Sequence, residues 1–78
     1  MNIDKNVDIC FNLEGEETKI QCKISEIMEN TFKAYCEKAK LDIGKLYFLY
    51  GGTILEPSTK IEDVYKNNPE EGIKIIVQ

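Results

Sequence analysis

The sequence predicts an α+β domain in which one mixed β-sheet wraps around a single long helix. Three observations carry this. Residues 7–13 and 19–24 alternate apolar and polar side chains with the period of two that a half-buried strand requires. The apolar period then lengthens to that of a helix between Ser25 and Ala39. Two more strand-like runs, 46–50 and 73–78, complete the set. With 78 residues the chain builds one hydrophobic core and no more.

Each element follows from its residues. Val7, Ile9, Phe11 and Leu13 alternate with Asp8, Cys10 and Asn12, and Ile20, Cys22 and Ile24 alternate with Lys19, Gln21 and Lys23. The polar stretch Glu14-Gly15-Glu16-Glu17-Thr18 between them predicts a hairpin whose loop exceeds two residues. Ser25 is the expected helix cap, with Met28, Phe32, Tyr35, Cys36 and Ala39 on one face and Glu29, Lys33 and Glu37 on the other. Asp42 and Gly44 mark its end, where Leu41 and Ile43 cover the bottom of the core. In the third strand Leu46, Phe48 and Tyr50 point inward, leaving Tyr47 and Leu49 outside. Gly51-Gly52 supplies a tight turn into the short edge strand Ile54-Leu55. Thr59 starts a single helical turn carrying Ile61, Val64 and Tyr65. The last strand places Ile73, Ile75 and Val77 inward and Lys74, Ile76 and Gln78 outward. Residues 1–6 read as a flexible N-terminal segment and 7–78 as the domain.

Composition narrows the function classes. Fourteen acidic residues against ten basic ones give a net charge of −4, and the lysines form no stripe, so nucleic acid is not an expected partner. No apolar run has the ~20 residues needed to span a bilayer, and residues 1–6 lack an apolar leader. The chain therefore reads as intracellular, cytoplasmic or nuclear, and monomeric when isolated. Cys10, Cys22 and Cys36 are odd in number and widely spaced, which argues against disulfides and a zinc site and for three small buried residues. The same spacing excludes a four-thiolate iron–sulfur cluster.

Nothing in the chain assembles a catalytic centre. Histidine is absent, so a serine or cysteine nucleophile lacks its commonest base. The carboxylates Glu14, Glu16 and Glu17, and the pair Glu70-Glu71, read as solvated turns without the enclosure that would shift a pKa. No catalytic residue, cofactor site or metal site is expected.

The segments Phe32-Lys33-Ala34-Tyr35-Cys36-Glu37-Lys38 and Leu46-Tyr47-Phe48-Leu49-Tyr50-Gly51-Gly52-Thr53-Ile54, with the closing strand, resemble ubiquitin and its relatives. The closer likeness is to the small ubiquitin-related modifiers (SUMO) and to SUMO-like domains, which share the Tyr-Cys pair and an aromatic strand before a glycine turn. The resemblance covers nearly the whole chain after Asn6 and implies a ubiquitin-like β-grasp. It also implies partners among other proteins, including enzymes or receptors of the ubiquitin and SUMO pathways. Conjugation in that family needs a Gly-Gly tail. A chain stopping at Gln78 is expected to act as a docking domain instead, the alternatives being a modifier seen without its tail or a structural subunit of a larger assembly. Gly51-Gly52 is a turn and no substitute for that tail.

Two binding sites follow from the resemblance. Leu49 falls where ubiquitin carries the central isoleucine of its recognition patch and Ile76 where it carries a neighbouring valine, so Tyr47, Leu49, Lys74 and Ile76 are the expected protein-binding face. The patch's third apolar member is replaced by the acidic run at 14–17. The second site is the groove in which SUMO relatives add a peptide strand. Its counterparts here are Lys19, Ile20, Cys22 and Lys23 on the second strand and Met28, Thr31 and Tyr35 on the helix. Glu29 and Asn30 stand where SUMO helices carry lysines, which reduces the attraction for acidic peptides.

Overall fold

The computed structural model describes residues 5–67 and 72–78; Glu70-Glu71 lies outside them. In chain order the elements are β1 (Asn6–Leu13), β2 (Glu16–Lys23), α1 (Met28–Ala39), a 3-10 turn (Ile43–Lys45), β3 (Phe48–Tyr50), β4 (Thr53–Ile54), α2 (Ile61–Asn67) and β5 (Ile73–Val77). The five strands make one sheet in the order β2-β1-β5-β3-β4. β1 and β5 run parallel at its centre, and the other neighbours are antiparallel. This is the mixed sheet around one helix that the periodicities predict.

The inner face of the sheet and the apolar stripe of α1 close over four aromatic rings. Phe11 stacks on Tyr35 at 4.4 Å between centroids and Phe32 stacks on Phe48 at 4.0 Å. Edge-on contacts link the two stacks, as the ring quadrupole favours. Ile9, Met28, Ile61 and Ile75 fill the remaining space, each fully buried. On β5 the burial alternates strictly, with Ile73, Ile75 and Val77 inside and Lys74 and Ile76 outside.

Several boundaries differ from the sequence reading, each for a local reason. The first hairpin turns on two residues, since Leu13 pairs with Glu16. Glu14 and Gly15 both take positive φ, 52° and 88°, the geometry that matches the twist of flanking strands. Asn12 Oδ1 accepts the Gly15 N–H at 3.0 Å and holds the turn. Glu16 and Glu17 thereby belong to β2 and not to a loop.

Ser25 does not cap α1. The N-cap position is Ile27, and the first two helical N–H groups, those of Met28 and Glu29, donate to the carbonyls of Thr59 and Pro57 at 2.8 Å each. The loop before α2 thus does the work of a capping side chain through two backbone carbonyls. α2 begins at Ile61, after Lys60, and runs seven residues, longer than the single turn expected. The helix also stops before Asp42 and Gly44. Lys40 adopts the left-handed conformation at φ 58°, and the Leu41 N–H donates back to the Cys36 carbonyl at 2.9 Å. Asp42 instead caps the 3-10 turn by accepting the Gly44 N–H. Leu41 packs on the core as expected, but Ile43 is exposed.

The fold also starts before Val7. Asn6 opens β1, and Lys5 accepts a hydrogen bond from the Ile24 N–H at its carbonyl while its ammonium donates to the Tyr65 hydroxyl at 2.7 Å.

Candidate docking surface

Strand register decides which outward side chains become neighbours, because directly paired residues share a face of the sheet. Leu49 pairs with Ile76 on one side and with Ile54 on the other, and Ile76 pairs with Asn12 on β1. Just before β3, Tyr47 exchanges two backbone hydrogen bonds with Gln78, at 2.7 and 2.9 Å. Tyr47, Leu49, Ile54 and Ile76 therefore form one apolar group on the outer face of β3, β4 and β5. Lys74 lies two residues from Ile76 along β5, opposite Cys10.

Exposure within the group is uneven. Tyr47, Ile54 and Ile76 are 62%, 57% and 47% exposed, whereas Leu49, at the centre of the row, is half-buried between its neighbours. Ile54 was not among the residues expected on this face. A two-residue turn at Gly51-Gly52 fixes it, because such a turn pairs Tyr50 with Thr53 and hence Leu49 with Ile54. Both glycines have positive φ, 59° and 81°, the conformation that makes the turn this tight.

The polar end of the same face centres on Cys10. This is the one cysteine that departs from the buried reading, since Cys22 and Cys36 are in the core and Cys10 is half-buried on the outer side. Its thiol donates to Glu17 Oε2 at 3.0 Å. That hydrogen bond, followed by burial, pushes the thiol pKa up, and the opposing pull of Lys19 and Lys74 does not cancel it. Cys10 is held as a thiol at neutral pH, the form that is a poor nucleophile.

The expected peptide groove divides differently. Ile20, Cys22, Met28, Thr31 and Tyr35 are all buried in the core, and only Lys19 and Lys23 reach solvent. The helix sits directly on β2, so these apolar side chains face each other instead of lining a trough. β2 is an edge strand, yet its outward backbone groups are partly taken. Lys38 Nζ donates to the Lys19 carbonyl at 3.4 Å. The Lys23 N–H donates to Glu26 Oε2 at 3.2 Å, and the Glu26 N–H donates to the Lys23 carbonyl at 3.0 Å. What remains open is a hollow of about 350 Å³ near the hairpin end, bordered by Leu13, Thr18, Tyr35 and Lys38.

No family model and no curated protein matches the sequence. Among solved structures the chain is similar to a designed protein based on ubiquitin, with a TM-score of 0.75 and 22% identity over 94% of this chain and 87% of that one. The fold is a ubiquitin-like β-grasp. A fold by itself does not choose among functions. Among the described residues no helix is long and apolar enough to cross a membrane, and no cluster of cysteines and carboxylates could hold a metal ion.

Proposed function

We propose that this chain is a non-catalytic, SUMO-like protein-interaction domain that docks partners through the outer face of β3, β4 and β5. The observation that carries the reading is the grouping of Tyr47, Leu49, Ile54 and Ile76 from three strands on one side of the sheet. Contiguous apolar surface of this kind, with Lys74 at its border, is costly to leave in water and characteristic of interaction sites. Fixing the group on a sheet keeps the ordering cost of binding low. The suppressed thiol of Cys10 supports the non-catalytic part, since it is the one cysteine within reach of solvent.

A partner in the ubiquitin or SUMO pathway would present an apolar side chain to this face and carboxylates toward Lys74 and Lys19. Titration of ¹⁵N-labelled protein with a SUMO-conjugating enzyme or a helical ubiquitin-receptor peptide tests it. Amide shifts should concentrate at Tyr47, Leu49, Lys74 and Ile76, and Leu49→Arg with Ile76→Arg should abolish them while the thermal transition is kept. Shifts confined to residues outside the β3–β4–β5 face and its margin, or binding that survives the double substitution, would overturn the reading.

A further inference from the structure

Among the described residues, four large apolar side chains are exposed: Ile43, Tyr47, Ile54 and Ile76. Three of them, all but Ile76, line a single cleft of about 190 Å³ between α1, the 3-10 turn and the β3–β4 margin. Its floor is the stacked pair Phe32 and Phe48, whose rings are 4.0 Å apart and almost fully buried. The floor of the cleft is therefore preformed, held in place by the core. One charged side chain lines it, the exposed Glu56.

We propose that this cleft is the anchoring subsite of the domain, taking one apolar side chain of a partner protein followed by a lysine or arginine that meets Glu56. The proposal rests on the reading of the chain as a docking domain, and it moves the anchor from Leu49 to the margin of the sheet. Size supports a side chain as occupant. The cleft has the volume of about six waters, too small for a drug-sized ligand and adequate for a leucine, methionine or phenylalanine side chain. Charge supports the basic neighbour, because the sole formal charge on the lining is a carboxylate in a chain of net charge −4. The cleft is also continuous with the outer face, since Tyr47 and Ile54 belong to both. A partner seated on the sheet thus meets the cleft at Tyr47 and Ile54, and burying an aromatic or aliphatic anchor in such a pocket concentrates binding energy.

The test uses the whole chain and defined peptides. ¹⁵N-labelled protein is titrated with acetyl-Ser-Leu-Lys-Ser-amide, with the same peptide carrying alanine for leucine, and with glutamate for lysine. Saturable shifts at Ile43, Ile54 and Leu55 are expected with the first peptide and none with the alanine peptide. The glutamate peptide, and Glu56→Gln with the first peptide, should each bind about two- to fivefold more weakly, the reach of one exposed charge pair. Absence of saturable shifts, shifts centred on Leu49 and Lys74, or equal binding of the glutamate peptide would overturn the proposal. Ile43→Ser, at a residue that lines the cleft and not the sheet face, separates it from the broader reading. If a partner lost by Leu49→Arg with Ile76→Arg is retained by Ile43→Ser, the cleft is not the anchor and the docking face stands; if neither variant loses any partner, both readings fall.

Discussion

The two flanks of α1 are built from the same materials and end in opposite states. On the β2 flank, Ile20 and Cys22 meet Met28, Thr31 and Tyr35, everything apolar is buried, and Lys38 and Glu26 bond to the strand's outer backbone. On the β4 flank the strand is two residues long, and Ile43, Tyr47 and Ile54 remain exposed around a cleft. The difference lies in strand length. β2 spans eight residues and runs alongside the helix, whereas β3 and β4 supply three and two, so Phe32 and Phe48 are buried at the sheet margin beneath side chains that are themselves exposed. The apolar stripe of the helix is buried on both flanks, but beside the short strands Ile43, Tyr47 and Ile54 stay exposed where the long strand leaves no such margin.

Truncation should break this comparison most visibly. Tyr35 is 2% exposed and stacked on Phe11, so Tyr35→Ala removes a ring from a site that cannot collapse around the gap, at a cost of about 3–5 kcal/mol. Ile54→Ser, on the open flank, removes a side chain that is already largely in water and should stay within about 0.5 kcal/mol. Urea denaturation of both variants measures the contrast. Equal losses would mean that the cleft side is packed as tightly as the β2 side.

A smaller effect sharpens the closed flank. Thr31 is 1% exposed and its Oγ1 meets no partner in good hydrogen-bond geometry. Its polar neighbour is the Cys22 thiol, whose pKa burial raises and Thr31 pulls partly back, while that thiol donates to the Val7 carbonyl at 3.5 Å. Thr31→Val keeps the shape and removes a desolvated hydroxyl, so a gain of about 1 kcal/mol is expected. A loss of stability on denaturation would show that the hydroxyl is bonded in solution.

The asymmetry between the flanks was only partly legible in the sequence. Period-two and helical spacing identified four strands and both helices, because those patterns are imposed by which side chains must leave water, and the Gly51-Gly52 turn signalled β4. The inward set on β5 and the pairing of Leu49 with Ile76 followed from the same rule and the resemblance. The caps did not follow, since α1 is capped by the carbonyls of Pro57 and Thr59, a contact between segments about thirty residues apart that leaves no local signature. Lys40 and Glu14 hold positive φ without being glycine or asparagine, and so hid the end of α1 and the tightness of the first turn. On the candidate surface, Met28, Thr31 and Tyr35 were expected in a groove because the resemblance to SUMO relatives places a peptide there, and the resemblance does not say how closely this helix packs on β2. Ile54 was within reach of the sequence once the Gly51-Gly52 turn was read as two residues.

The smallest expected effect concerns the thiols, and its sign follows from linkage. Burial raises the pKa of Cys22 and Cys36, and the Glu17 hydrogen bond with burial raises that of Cys10. In the unfolded chain a thiol ionises near pH 8.5 or so, about its unperturbed value. Below that pH both states hold the proton and stability is unaffected. Above it the unfolded chain releases protons that the folded chain retains, so stability falls as pH rises and levels off only once the folded thiols ionise. Urea midpoints should therefore be flat from pH 6 to about 8 and decline toward pH 10. Cys22→Ala isolates the closed flank: it costs stability at every pH by leaving a small cavity, but should flatten part of the alkaline decline. Glu17→Gln should flatten a different part and speed alkylation of Cys10 by iodoacetamide at pH 8, because the carboxylate that holds the thiol proton is gone. An alkaline slope unchanged by either substitution would show that the thiols do not set it.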